Sequence, residues 1–238
     1  MDNKAENKNM YKRVLLIIPA MILCLIGDYC IGIEPADSTT VSGLISTGWL
    51  SIDSWRIILS NICGMVGTFF YTAAALTFVR WLRTKEKELT SKADQRIIRL
   101  FCGSLIVGIM SFIYFHIACG MMIYRYPILL EATSNNTERA AQLWNQLFIP
   151  EMVPYIVLFV LFDVGATVCW ILMIFRKIID LPKIWIIASP LMMTCVGILF
   201  SFLPLPFNGI ESGFESLGWM LMFICGARYI KSCQEHKG

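Results

Sequence analysis

The chain has 238 residues, 57% of them hydrophobic and 16% charged, with a mean hydropathy of +0.65. An ordinary soluble domain carries about 25% charged residues, so this composition excludes one and reads as an integral membrane protein whose first partner is the lipid bilayer. The net charge of +3 says little until the charges are assigned to sides, and the sequence holds no nucleic-acid module, P-loop or haem motif.

Crossing a hydrocarbon core of ~30 Å takes about 20 apolar residues. Residues 14–33, 57–82, 97–124, 153–175, 184–203 and 210–230 reach or approach that length. The first run exceeds the roughly 7 to 15 residues of a signal-peptide core and no small-residue cleavage site follows it, so it reads as a spanning helix. After it, residues 38–54 place Val41, Leu44, Ile45, Gly48 and Ile52 at near-helical spacing, which predicts a short helix lying on the surface. Residues 138–148, bounded by Pro127 and Pro150, read as a second such helix, the pair forming either a lid over the outer face or plain amphipathic loop filler. Asn135-Asn136-Thr137, just before it, is a glycosylation sequon. Pro204 and Pro206 stop the fifth segment, and Asn208 followed by Glu211 fits a capping box opening the sixth. That last segment is the least apolar, diluted by Glu211, Glu215 and three glycines.

Alternating the loops places every lysine and arginine except Arg56, Arg125 and Arg139 on one side of the bilayer. Cytoplasmic loops carry such an excess. The expected fold is therefore an all-α integral membrane protein, a single domain over residues 1–238 forming a six-transmembrane-helix bundle with both termini cytoplasmic. Ser60, Gly64 and Thr68 on the second segment, and Ser104 and Gly108 on the third, match the small-xxx-small pattern of close helix contacts. The nine cysteines form no C-x-x-C pair, and all but Cys233 fall in apolar runs, as small packing residues do. Cys30 and Cys119 near the outer ends form a bridge only if their Cα atoms come within disulfide range.

Four ionisable residues, Asp28, His116, Asp163 and Glu215, lie inside four different apolar runs. A charged group at bilayer depth costs roughly 2.5 to 3.5 kcal/mol on insertion scales, so these side chains are expected to face a protein interior or a water-filled cavity. At 1.5 Å per residue, Asp28, His116 and Glu215 come out about 8–9 Å below the outer boundary and Asp163 about 15 Å. Asn61 joins the same layer. The expected site is an outer-half pocket of Asp28, Asn61, His116, Asp163 and Glu215, centred on Asp163 and His116. Competing with it are a buried carboxylate at Asp163 that only holds helices together, a satisfied core histidine at His116, and a helix-end carboxylate snorkelling to the interface at Asp28. No H-x-x-x-H or H-E-x-x-H spacing points to a metal, and no cofactor is implied.

Gly27-Asp28-Tyr29, Trp55-Arg56, Pro206-Phe207-Asn208 and the run Gly213-Phe214-Glu215-Ser216-Leu217-Gly218-Trp219 resemble a family of uncharacterised bacterial multi-spanning membrane proteins. The resemblance covers most of the chain and implies a multi-pass protein of the bacterial plasma membrane, with no activity to carry over. Membrane hydrolases of the ceramidase type need a multi-histidine zinc site that this chain lacks, and a rhomboid-like protease needs a Gly-x-Ser-Gly nucleophile on a helix. Three functions stay open: binding or transport of a small solute or ion, proton-linked and in an oligomer; lipid chemistry with His116 or Glu215 as general base; and a non-catalytic assembly, sensing or immunity role.

Overall fold

A computed structural model describes residues 9–200, 202 and 207–235. Lys4, Lys8, Pro204, Pro206, His236 and Lys237 lie outside them, as does the Asn208 side chain on which the capping box rests. The chain opens with α1 (Met10–Val14) and α2 (Ile17–Gly32). Pro19 separates them: without an N–H it cannot bond the Leu15 carbonyl, which accepts from Ile18 instead at 3.0 Å.

Residues 38–54 do not form the expected surface helix. They fold as strands β2 (Thr40–Ser42) and β3 (Ile45–Ser46), paired antiparallel, followed by a 3-10 turn over Thr47–Ser51. The apolar spacing is satisfied on the hairpin, where Ile45 is fully buried, and Gly43 supplies the positive φ the reversal requires.

Helices α3 (Ser54–Glu88) and α4 (Lys92–Ala132) run 35 and 41 residues. These are about 52 Å and about 62 Å long, well beyond the hydrocarbon thickness. At their junction Ser91 Oγ accepts from the Asp94 N–H, while Arg83 and Arg99 both bond Glu86. Helix α5 (Thr137–Phe159) follows a tight reversal with Ser134 and Asn135 at positive φ, and Asn136 caps it by accepting from the Arg139 N–H at 2.9 Å. Pro127 and Pro150 were expected to bound separate elements, yet α4 and α5 pass through both. Proline keeps a helical φ and forfeits one hydrogen bond, and here the extended ends pack Tyr126, Ala140, Ala141 and Trp144 against Ile45 of the hairpin.

A π turn over Val160–Val164 joins α5 to α6 (Gly165–Phe175), so the helical path is unbroken from Thr137 to Phe175. The fifth predicted segment, residues 184–203, is not one helix. Lys183–Ile187 is a 3-10 turn, and α7 (Pro190–Phe200) has only 11 residues, about 17 Å. Pro190 disfavours helical geometry at Ser189 and restarts the helix. The sixth becomes a 3-10 turn at Ile210–Gly213 and α8 (Phe214–Glu235). Four helices, Met10–Gly32, Ser54–Glu88, Lys92–Ala132 and Thr137–Phe175, are long and apolar enough to cross a membrane. Ile58, Phe69, Leu100, Met110, Ile149 and Val153 are each more than half exposed. In water such a belt drives association; against acyl chains it is at rest.

Inside, an aromatic column fills the bundle. Tyr71 meets Phe112, Phe162, Trp219 and Phe223 edge-on or tilted, with centroids 4.5 to 6.2 Å away. Of the small residues on α3 and α4, Gly108 faces this column, Gly64 faces His116 and Gly67 faces the α2 backbone at Ala20. A Cβ on Gly108 would lie 2.2 Å from the Phe162 ring and 2.5 Å from the Tyr71 hydroxyl, whereas one on Gly103 of the same helix meets open space.

Gly108→Ala is therefore expected to lower the thermal midpoint of the detergent-solubilised protein, by the equivalent of about 1–3 kcal/mol for an overpacked core. Gly103→Ala should leave it unchanged or slightly raised, since alanine is the better helix former. Equal effects at the two positions in a dye-based melt would refute this packing.

Candidate functional site

At the hairpin end of the bundle, three crossing contacts bring α2, α3 and α8 to one place. Arg56 Nη2, in the first turn of α3, donates to the Ile33 carbonyl at 2.7 Å, tying α3 to the end of α2. Strand β1 (Glu34–Pro35) pairs antiparallel with β4 (Phe207–Asn208), bringing the chain before α8 back over α2. Gly209, with φ +84°, passes so close to Gly32 that an added Cβ would sit 1.5 Å from the Gly32 carbonyl oxygen. Only glycine fits there.

Asp28 lies one turn from the end of α2. Its Oδ2 accepts from Ser216 Oγ of α8 at 2.7 Å, and its backbone carbonyl accepts from Ser212 Oγ at 3.4 Å. His116, from α4, is pushed between α2 and α3. A Cβ on Gly27 would lie 2.9 Å from its ring and one on Gly64 only 2.4 Å. Ring atom Nδ1 is 3.3 Å from Ser60 Oγ. Nε2 points toward Asp28 Oδ1 at 4.0 Å, beyond hydrogen-bond distance.

Asp28, His116 and Glu215 line one cavity of about 360 Å³. Phe112, Phe115 and Tyr155 form an apolar wall, the Phe115 and Tyr155 rings lying 4.6 Å apart. Glu34 and Trp49 line the cavity at its hairpin end. Ser46 donates to Glu34, and Trp49 packs on Trp144 at 5.6 Å and Tyr126 at 6.3 Å.

Asp163 does not reach the cavity wall. It is fully buried on the π turn, behind Glu215, and its Oδ1 accepts from Trp219 Nε1 at 2.8 Å. Trp219 is itself stacked on Phe162, with centroids 4.1 Å apart and planes 12° from parallel. Asp163 Oδ2 has no donor against it, and the adjoining polar group is the Glu215 carboxyl. Two carboxyls hydrogen-bond only when one carries a proton. Asn61 is also outside the cavity wall: its buried Oδ1 lacks a partner and lies beside Gly120, where an added Cβ would come within 3.1 Å. The cavity thus centres on Asp28 and His116, with Asp163 beneath it.

Several wall residues escape a reading of the sequence. Ser216 is adjacent to Glu215 and Glu34 lies just past the first apolar run, so proximity to an acidic residue was available as a signal for them. Tyr155, Phe115 and Cys119 look like ordinary membrane residues. All nine cysteines are free, Cys30 and Cys119 included.

Ser60, His116 and Asp28 contain the residue types of a nucleophilic triad, but Ser60 is fully buried and faces the core rather than the cavity. Among the described residues, no three His, Cys, Asp or Glu side chains converge closely enough to hold a metal ion.

No curated protein and no solved structure matches the chain. The model of a family of unknown function (DUF6796) matches residues 1–233, and the chain belongs to that family.

Proposed function

We propose that this is a multi-pass membrane protein that takes a small solute into the cavity between α2, α4 and α8 from the outer side of a cell membrane. The observation that carries this reading is the convergence of Asp28, His116 and Glu215, from three separate apolar segments, on one cavity with an aromatic wall. Its volume falls within the roughly 300–1,000 Å³ of small-molecule sites. Three polar residues serving only helix contacts would be turned to separate interfaces.

The orientation rests on charge. Arg83, Arg99, Arg176 and Lys231 lie at the end opposite the hairpin, and Arg176 bonds Asp94 there. Lys231 of α8 sits 5.9 Å from the ring of Tyr11 in α1, so the two ends of the described chain meet on that side. An even number of crossings with both termini in the cytoplasm accounts for this, the short α7 and then α8 carrying the chain out and back to that side. The hairpin and the cavity then face outward.

Beneath the cavity the rings of Tyr71, Phe162 and Trp219 pack against one another, which favours holding a solute here over conducting it. The Glu215 and Asp163 carboxyls lie between cavity and column, where a shared proton would respond to what occupies the space above. This links solute binding to proton uptake or release.

Cys119 provides a direct check, because it lines the cavity. In a variant retaining Cys119 as its only cysteine, a membrane-impermeant thiosulfonate added outside intact cells is expected to label it. Labelling only from inverted vesicles would overturn the orientation, and labelling only after denaturation would overturn the accessible cavity.

A second expectation concerns Asp163. Asp163→Asn keeps an acceptor for Trp219 and supplies an N–H to Glu215, so it should fold normally and bind solute without a proton change. Asp163→Val orphans the buried indole N–H and should cost about 1–3 kcal/mol. Comparable melts for the two variants would count against the hydrogen-bonded arrangement.

A further inference from the structure

The wall chemistry of the cavity narrows the solute, given the reading of it as a solute site. Asp28, Glu34 and Glu215 line it, and no lysine or arginine does among the described residues. The nearby arginines are committed elsewhere, Arg56 to the Ile33 carbonyl and Arg125 to Glu151 at 2.6 Å. An anionic solute would meet carboxylates without a cation to offset them.

His116 makes the second, independent point. Its side chain is only 6% exposed, its ring is clamped at Gly27 and Gly64, and one edge is bonded to Ser60. The other edge, Nε2, lines the cavity without a hydrogen-bond partner, with Asp28 Oδ1 next to it at 4.0 Å. That gap is too wide for a direct bond and suits one donor nitrogen at about 2.9 Å from each. The required tautomer carries its proton on Nδ1, where Ser60 Oγ stands ready to accept. A buried polar edge held in a rigid slot and left unpaired is arranged for a partner that arrives from the cavity.

We propose that the space between His116 Nε2 and Asp28 Oδ1 seats the ammonium group of a small organic amine, whose apolar part lies along Phe112, Phe115 and Tyr155. The aromatic wall selects an organic cation over an inorganic one. Ring faces attract a positive charge and shelter hydrocarbon, but they supply no oxygen ligands to replace the hydration shell of a metal ion. Glu215, on the same cavity, places a further negative charge near the ammonium, and Ser216 holds Asp28 with its Oδ1 free.

The test uses the full chain in nanodiscs and three probes of similar shape: 2-phenylethylammonium, neutral 2-phenylethanol and anionic 3-phenylpropionate. Isothermal titration is expected to show saturable binding of the ammonium, at least tenfold weaker binding of the alcohol and none of the carboxylate. Asp28→Asn, which still accepts from Ser216, should weaken the ammonium at least tenfold while leaving the melt unchanged. Glu235→Gln, at the far end of α8 from the cavity, should not alter binding. Equal binding of the alcohol, or binding indifferent to Asp28→Asn, would overturn the ammonium assignment while sparing the cavity as a solute site. Absence of saturable ammonium binding would overturn it too, leaving the gap to water, and Cys119 accessibility then decides separately whether the cavity itself stands.

Discussion

The arrangement of this bundle depends on one close approach, that of α2 and α3 around the imidazole of His116. At Gly27 and Gly64 the helices come near enough that the ring fills the space a Cβ would need on either one. A buried imidazole without partners is costly, and Ser60 answers only one of its nitrogens. The other is left at the cavity edge. The same contact that brings α2, α3 and α4 together therefore presents an unpaired polar atom beside Asp28, and structure and candidate chemistry share one side chain.

Around that contact the protein separates a polar compartment from an apolar one within a short distance. Asp28, Glu34, Glu215 and Ser216 line the cavity. Immediately beneath, Phe162 and Trp219 stack, and Tyr71 packs against both before spending its hydroxyl on the Leu105 carbonyl at 2.8 Å. In this boundary layer the Trp219 indole donates to Asp163 Oδ1, and such directed bonds let acidic groups lie inside an otherwise apolar bundle. The hairpin end is braced by similar contacts, with Trp49 anchored among Tyr126 and Trp144 and the Trp144 indole donating to the Met122 carbonyl at 2.8 Å.

The long apolar helices are legible in the sequence because lipid imposes length and hydropathy on a continuous run, and four such runs are found as helices. Where the sequence misleads, a local signal competes with tertiary packing. Pro127 and Pro150 look like boundaries, but the burial of Tyr126 and Trp144 across the extended helix pair holds both helices through them. Pro190 is the opposite case: its effect on Ser189 was readable, yet the apolar run across it masks the break. Near-helical spacing in residues 38–54 equally suits a hairpin over an apolar surface. For the site, intramembrane charges could be found one by one because each is anomalous in its own run. Which of them meet depends on small rotations between helices, and the π turn at Val160–Val164, which buries Asp163 behind Glu215, leaves no mark in residue periodicity.

That π turn also bears on how the cavity can communicate with the rest of the bundle. It buries two successive side chains, Phe162 and Asp163, and both engage the same residue of α8: Phe162 stacks on Trp219 and Asp163 accepts its indole proton. Glu215, four residues before Trp219 on α8, reaches from the cavity wall to Asp163. One helical turn of α8 thus touches the cavity at one end and the aromatic floor at the other, both through the same short irregular segment. Under the proposed reading, an ammonium group beside Glu215 would act on the contact between Glu215 and Asp163. The coupled element is then the α8 turn from Glu215 to Trp219 against the π turn, since neither the carboxyl contact nor the indole bond can change without loading the other. A passage through the floor would have to part these two segments, and a solute seated as proposed would act directly on one of the contacts that keep them together.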